Sequence, residues 1–229
     1  MRGIFVTATD TEVGKTVVAA AIAATLVQDG IPVRAFKPAV TGLEEPVAGV
    51  PADHELLAAV TGDVAEQVAP HRFGPAVSPH LAAALAGTTI DPRSLAATAR
   101  ARAQAAGPSG ALVVEGVGGL LVPITEDFSV RDLAVELALP VVIAARPGLG
   151  TINHTLLTLA EARRSGLDVR AVVLTPWPES PDVIASSNRA TLERLAGVEV
   201  LTLPHVATMA AEPLASAGRA LDPARWLDR

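Results

Sequence analysis

Three short segments carry residue types suited to chemistry on a phosphate. The first is Gly14-Lys15-Thr16, which follows the apolar run Ile4–Thr7 and opens a long alanine-rich stretch. At a strand-to-helix turn these residues have a defined physics. Gly14 lets the backbone approach an anion, Lys15 supplies a point charge, and Thr16 offers a hydroxyl to Mg²⁺. The free N–H groups of the new helix point at the phosphates. The usual template has a glycine where this chain has Thr9. Asp10 and Glu12 also repel phosphate, so they either face solvent as turn residues or face a second, cationic substrate.

The second segment, Lys37-Pro38-Ala39-Val40-Thr41-Gly42, closes the β-branched run Val33–Phe36. Lys37 reads as a solvated loop lysine or as a second cation beside the phosphates. Lys15 and Lys37 are the only lysines in the chain, the other basic side chains being arginine or histidine, and this restriction of the compact, strongly hydrated charge to two strand ends favours the second reading. The third segment is Glu115-Gly116-Val117-Gly118-Gly119, after the apolar run Ala111–Val114. An acid at this place suits the metal side of a nucleotide, and the glycines allow close approach of phosphate or substrate. Asp53 reads either as a helix N-cap or as a further carboxylate for Mg²⁺.

The elements that must position these residues follow from periodicity. Strands are expected at Ile4–Thr7, Val33–Phe36, Ala111–Glu115, Pro140–Ala145, Ala171–Thr175 and Val198–Leu203. Their uniform apolarity fits a sheet covered on both faces, and therefore a mainly parallel one. Helices are expected at Lys15–Asp29, Asp53–Val60, Arg93–Ala106, Ser129–Leu137, Thr151–Ser165 and Asp182–Leu195, with Ser129 as an N-cap answered by Asp132. Pro70–Pro79 and Pro176–Pro181 read as loops, and the last twenty or so residues receive no element. The expectation is one α/β domain over residues 1–229, with helices on both faces and ligands at the carboxyl ends of the strands.

Composition bounds the function. With no cysteine, disulfides, thiolate zinc sites and cysteine nucleophiles are excluded. A net charge of -6 disfavours nucleic acid and anionic membrane as non-specific partners. The apolar stretch Val17–Val27 is too short to span a bilayer and no signal-peptide pattern opens the chain, so the expected location is cytoplasmic.

Taken together, the segments resemble the dethiobiotin synthetase family of P-loop enzymes. Thr9, Thr11, Val13, Gly14, Lys15 and Thr16 match its phosphate loop. Lys37, Pro38, Thr41 and Gly42 match its second strand end, and Glu115, Gly116, Gly118 and Gly119 match its glycine turn. Phe73, Pro75 and Ser78-Pro79-His80 resemble its proline loop, and Leu149-Gly150-Thr151-Ile152-Asn153-His154 resembles a further segment. The resemblance implies use of ATP (or another nucleoside triphosphate), Mg²⁺, carbon dioxide or bicarbonate, and 7,8-diaminononanoate. It implies that the diamine becomes a carbamate, then a carbamic-phosphoric anhydride, then a cyclic urea.

By position, the resemblance implies that Lys37, Lys15 and Thr11 act at the reacting groups. Glu12, Val13, Gly14, Lys15, Thr16 and Val17 would hold the phosphates, and Thr16, Asp53 and Glu115 would surround Mg²⁺. Gly116, Val117, Gly118, Thr175, Pro176 and Pro204 would line the nucleotide. Thr11, Lys37 and Thr41 would contact the diamine, with Gly150, Thr151, Asn153 and Asn188 at the substrate carboxylate across a homodimer interface. His80 and His154 are expected to form structural hydrogen bonds. The chain departs from the family pattern at Ala8, which requires a negative φ, at Val117, at Asn188, and at Thr175, where an adenine-reading asparagine is common. Two other readings are a partitioning-type P-loop ATPase working as a nucleotide-switched dimer and another ATP-dependent carboxylate-activating synthetase. Asp10 occupies the early lysine position of the former, and no cysteine supplies the glutaminase of the latter.

Overall fold

The uniformly apolar runs fold into one parallel sheet because each has two faces to bury. The computed structural model describes residues 1–227. Its strands and helices in order are β1 (Gly3–Ala8), α1 (Lys15–Gln28), β2 (Val33–Phe36), β3 (Ala39–Val40), α2 (Asp53–Thr61), α3 (Ala65–Val68), β4 (His71–Arg72), α4 (Pro79–Leu85) and α5 (Pro92–Ala105). Then come β5 (Ala111–Glu115), β6 (Pro123–Thr125), β7 (Phe128–Ser129), α6 (Val130–Leu137), β8 (Val141–Ala145), α7 (Thr151–Arg164), β9 (Val169–Trp177), α8 (Val183–Leu195), β10 (Glu199–Pro204) and α9 (Ala211–Gly218).

The main sheet has six strands in the order β10-β9-β8-β1-β5-β2, and every neighbouring pair is parallel. Side chains alternate between two cores. Ile4, Val6 and Ala8 enter the one that holds α1, α2 and α9, whereas Phe5 enters the one against α4 to α8. This is the period-two alternation of a strand with apolar surroundings on both sides. The carboxyl ends of β1, β2 and β5 therefore lie side by side, because β5 sits between the other two.

Several boundaries differ from the sequence reading, each for a local reason. Ser129, Asp182 and Asp91 cap α6, α8 and α5 from outside the helix by accepting backbone N–H groups. Ala52, rather than Asp53, occupies the cap of α2, so the Asp53 side chain is released from capping. The expected loop at Pro70–Pro79 contains β4, which pairs with β3, and its last residue starts α4. Pro176 lies within β9 after a cis Thr175–Pro176 bond, rather than in a loop. That position is permitted because the last β8 pairing ends at Leu174, so no ladder bond on that side needs the missing N–H.

The C-terminal stretch also has structure. Helix α9 packs on α1, where the Thr25 hydroxyl lies 2.8 Å from the Ala21 carbonyl and 3.2 Å from that of Ala215. Small residues make the approach possible: a Cβ on Gly218 would fall 2.6 Å from the Ala21 carbonyl oxygen and 2.4 Å from the Thr25 hydroxyl. Gly218→Ala should therefore destabilise the protein by about 1–3 kcal/mol through overpacking, read as a lower denaturant midpoint at an unchanged slope. An unchanged midpoint would mean that α9 is not docked this way.

Candidate active site

The three strand ends and the start of α2 bring four charged side chains together. Gly14 precedes α1 with φ 88, a conformation open to glycine at little cost, and the open N-terminus of α1 follows it. The Lys15 ammonium lies 3.1 Å from Glu115 Oε1, and that of Lys37 lies 2.7 Å from the same oxygen. Lys37 also reaches Asp53 Oδ2 at 2.9 Å and donates to the Gly116 carbonyl at 3.2 Å. The Thr16 hydroxyl is 2.8 Å from both Asp53 Oδ1 and Glu115 Oε1, and its single hydrogen serves one of them at a time. Lys37 is 2% exposed and Glu115 0%, while the Asp53 side chain is 40% exposed, so the cluster is buried at its lysine–Glu115 centre, open at Asp53, and without net formal charge.

The surroundings act unequally on the two lysines. Burial, reinforced by the charge of Lys37, pushes the Lys15 ammonium below its ordinary value against the pull of Glu115 and Asp53. Burial also works against Lys37, but Asp53 and Glu115 outweigh it and raise its value. For Asp53 burial favours the neutral form, yet Lys37 and then Lys15 hold the carboxyl well below the usual carboxylate range.

The donor set fits Mg²⁺ bound together with a nucleotide. Glu115 Oε2 is buried and has no hydrogen-bond partner, an acceptor left over in an otherwise paired cluster. Among the described residues no three His, Cys, Asp or Glu side chains gather closely enough to cage a metal alone. Mg²⁺ does not need such a cage, since one or two carboxylates plus phosphate oxygens and water satisfy it. Thr16, Asp53 and Glu115 are therefore the residues that would hold it.

The glycine turn after β5 lies against the phosphate loop. Gly118 has φ 57, and a Cβ there would come within 2.8 Å of Val122 Cγ2 and 3.3 Å of the Thr11 hydroxyl. Thr11 thus borders both Gly118 and a cavity of about 410 Å³, which Thr9, Asp10, Leu120, Val122 and Glu161 also line. Asp10 accepts the Thr11 N–H at 2.8 Å and pairs with Arg146 at 3.2 Å, so it serves as a turn residue. Glu12 is exposed at φ 58, and Ala8 ends β1 outside the left-handed region. Val13 is buried and Val17 half-buried at the two sides of this turn.

The remaining expected residues lie around this centre. Thr41 follows β3 and is half-buried, next to a Gly42 N–H that donates to Pro75. Thr175 is 2% exposed and its methyl group lies 3.0 Å from where a Gly14 Cβ would stand, so its side chain packs under the phosphate loop. Pro176 and Pro204 sit at the ends of the adjacent β9 and β10, where Pro204 pairs with Trp177. Gly150 caps α7 with φ 92, Thr151 is buried at its first turn and Asn153 is exposed there. Asn188 donates to the carbonyls of Pro147 at 2.9 Å and Gly148 at 3.0 Å, bracing the loop that leads into α7. His154 is exposed, and the buried Nδ1 of His80 lacks the expected hydrogen bond.

Glu161, at the rim of the cavity, was not anticipated. It joins Arg131 at 3.0 Å and Arg164 at 2.8 Å, and those two arginines hold its carboxyl down at about 2. Its only signal in the sequence is the spacing to Arg164 on one helix face.

Comparison with known proteins shows the family of the chain. A family model described as an AAA domain matches residues 2–212. The ATP-dependent dethiobiotin synthetase of Anaeromyxobacter dehalogenans is 42% identical over 205 residues, covering 89% of each chain. That of Bacillus thuringiensis is 39% identical over 206 residues, covering 89% of this chain and 83% of its own. This chain belongs to the dethiobiotin synthetase family.

Similarity to solved structures is a similarity of fold. The cell division ATPase MinD of Pyrococcus furiosus superposes with a TM-score of 0.54 at 16% identity, covering 97% of this chain and 99% of its own. Chloroplast FtsY of Physcomitrella patens gives 0.54 at 13% identity, covering 95% of this chain and 65% of its own. This chain thus shares its mainly parallel P-loop sheet with these two proteins, and the dethiobiotin synthetases to whose family it belongs are ATP-dependent ligases. Among the described residues no helix is long and apolar enough to cross a membrane.

The charge cluster makes a pH prediction. Asp53 has a folded pKa below its unfolded value of about 3.9, so its stabilisation is fully present above that value and is lost as pH falls toward the folded pKa. The melting-temperature advantage of wild type over Asp53→Asn should be present at pH 7 and shrink progressively below about pH 4. A gap that stays constant down to pH 3 would contradict the ion pairing.

Proposed function

We propose that this protein is an ATP- and Mg²⁺-dependent dethiobiotin synthetase that carboxylates 7,8-diaminononanoate and closes its ureido ring, releasing ADP and phosphate. One amine adds to carbon dioxide and loses a proton, giving a carbamate. A carbamate oxygen attacks the γ-phosphorus and ADP departs, leaving a carbamic-phosphoric anhydride. The second amine then attacks the carbonyl carbon and loses a proton, phosphate leaves, and the ring closes. Mg²⁺, when bound, neutralises phosphate charge and orients the γ-phosphoryl group.

The chain's own residues position groups and neutralise charge, which is most of what phosphoryl transfer asks of a protein. Lys15 and the α1 N-terminus grip the phosphates. Lys37 faces the carbamate and the transferring phosphoryl group, while Thr11 and Thr41 orient the diamine. The substrate carboxylate is held by Gly150, Thr151 and Asn153 of a second copy in a homodimer, a reading supported by the exposed Leu149 and Leu157 beside them. Asn188 supports that loop through Pro147 and Gly148. The observation that carries the proposal is the meeting of both lysines of the chain on one buried carboxylate with an unpartnered oxygen.

The direct test incubates the protein with ATP, Mg²⁺, bicarbonate and 7,8-diaminononanoate and seeks the cyclic urea by mass spectrometry. ATP hydrolysis without this product would favour a nucleotide-switched ATPase. Lys37→Gln should lower kcat by about a hundredfold or more while changing the nucleotide Kd by less than about threefold, since a charge serving mainly the transition state acts on kcat. Because the Thr175 side chain is turned under the loop, discrimination between ATP and CTP in kcat/KM should stay below about a hundredfold, and a larger ratio would require another base-reading group.

A further inference from the structure

The outer edge of β2, the strand that delivers Lys37, is not left open to solvent. At Ala35 the N–H donates to Asp63 Oδ2 at 2.9 Å and the carbonyl accepts from Arg102 Nε at 2.9 Å. Arg102 and Asp63 face each other, with Nη2 lying 2.5 Å from Oδ2 off the hydrogen-bonding direction, and their side chains are 10% and 3% exposed. Arg34 and the Thr61 hydroxyl also donate to Asp63, at 3.1 and 2.9 Å, and Arg102 donates to Gln67 Oε1 at 3.2 Å. The seam continues along the chain: the Lys37 N–H donates to Val68 at 2.8 Å, and β3 then pairs with β4.

The place of Asp63 gives this knot its importance. It follows Gly62, the left-handed cap that ends α2, and its N–H donates back to Ala58 at 3.1 Å. Helix α2 has nine residues and so is about 13 Å long. Its other end carries Asp53, which meets Lys37 and Thr16. The two ends of α2 are therefore tied to the β2 segment at two neighbouring places, Asp63 to the Ala35 backbone and Asp53 to the side chain of Lys37 two residues on. Only the second joint lies where nucleotide and metal would enter. When those groups compete for Asp53 and Lys37, the Asp63–Ala35 joint keeps the helix and the strand in register.

We propose that Asp63 and Arg102 are positioning residues that set Asp53 and Lys37 relative to each other and so determine how the site takes Mg²⁺ with nucleotide. The proposal rests on the functional reading above for what the site does, but not for how it is measured. Asp63→Asn keeps the shape and an acceptor for Ala35 while removing the charge. Arg102→Lys keeps the charge while losing the fork that holds Ala35, Asp63 and Gln67 at once. Leu221→Ala, buried beside β10 at the edge of the sheet opposite β2, serves as a control for simple loss of stability.

ADP binding is measured by calorimetry across a Mg²⁺ titration, beside kcat and KM. Both positioning variants should raise the Mg²⁺ concentration for half-maximal effect at least about fivefold and lower kcat about tenfold. ADP affinity without Mg²⁺ should stay within about twofold. Leu221→Ala should lower the melting temperature with no change in the Mg²⁺ midpoint. The proposal is overturned if Asp63→Asn and Arg102→Lys lose stability as the control does and keep wild-type Mg²⁺ midpoints, for the knot would then only close a sheet edge. Thr61→Val, which removes one donor to Asp63, decides the matter by the same comparison if Asp63→Asn does not fold. If wild type binds ADP with Mg²⁺ but makes no cyclic urea, the functional reading fails and the Mg²⁺ midpoints still decide the positioning role.

Discussion

The buried contact of Lys15 and Lys37 with a single carboxylate oxygen of Glu115 is the constraint on which the rest depends. Two ammonium groups close to one oxygen repel each other, and their desolvation is costly unless opposite charge is near. Asp53 restores neutrality and Thr16 adds a hydrogen bond. Removing one member would leave a buried charge uncompensated, which in such clusters costs about 3–5 kcal/mol. Under the proposed function, nucleotide phosphates and a divalent cation would meet the same groups, with the lysines facing phosphate and the carboxylates facing metal.

The fold is arranged to hold that cluster. Three strand ends come side by side only because β5 sits between β1 and β2 in the sheet. Helix α1 can point its N-terminus at the site because Gly14 adopts a left-handed turn, and the glycine turn after β5 can press on the phosphate loop because Gly118 has no side chain. Alanine along α1 lets α2 and α9 pack closely on it, which fixes the direction of the helix and with it the phosphate loop.

Much of this was legible in the sequence, for identifiable reasons. Lys37 and Glu115 each follow or close an apolar run and Lys15 opens the alanine-rich one at a Gly-Lys-Thr turn, and such positions are local properties of the chain. Asp53 was ambiguous because a carboxylate before a helix serves equally as a cap; only the placement of Ala52 at the cap shows that its side chain is free for Lys37 and Thr16. Asp63 and Arg102 left no trace, since their main partners are backbone groups of a strand whose place at the sheet edge depends on the order of all six. Thr175 and Asn188 were placed by analogy, and their burial against the phosphate loop and the 147–148 carbonyls is a packing result that spacing cannot reveal. Helix α9 went unseen because it is only eight residues long, starts without a capping side chain and carries Pro213 in its first turn, and Gly218 has meaning only opposite Ala21 and Thr25.

Because the chain contains only two lysines, the central claim can be read from two signals. Nitrogen-15 labelling of lysine side chains should give two Nζ resonances, both from protonated groups protected from exchange in the free protein. On addition of ADP with Mg²⁺ both should shift, as Lys15 moves to phosphate and Lys37 loses shared carboxylate oxygen to the metal. ADP without Mg²⁺ should move Lys15 more than Lys37. Two resonances that exchange freely with solvent in the free protein, or a Lys37 signal indifferent to Mg²⁺ and nucleotide, would contradict the buried cluster as the centre of this site.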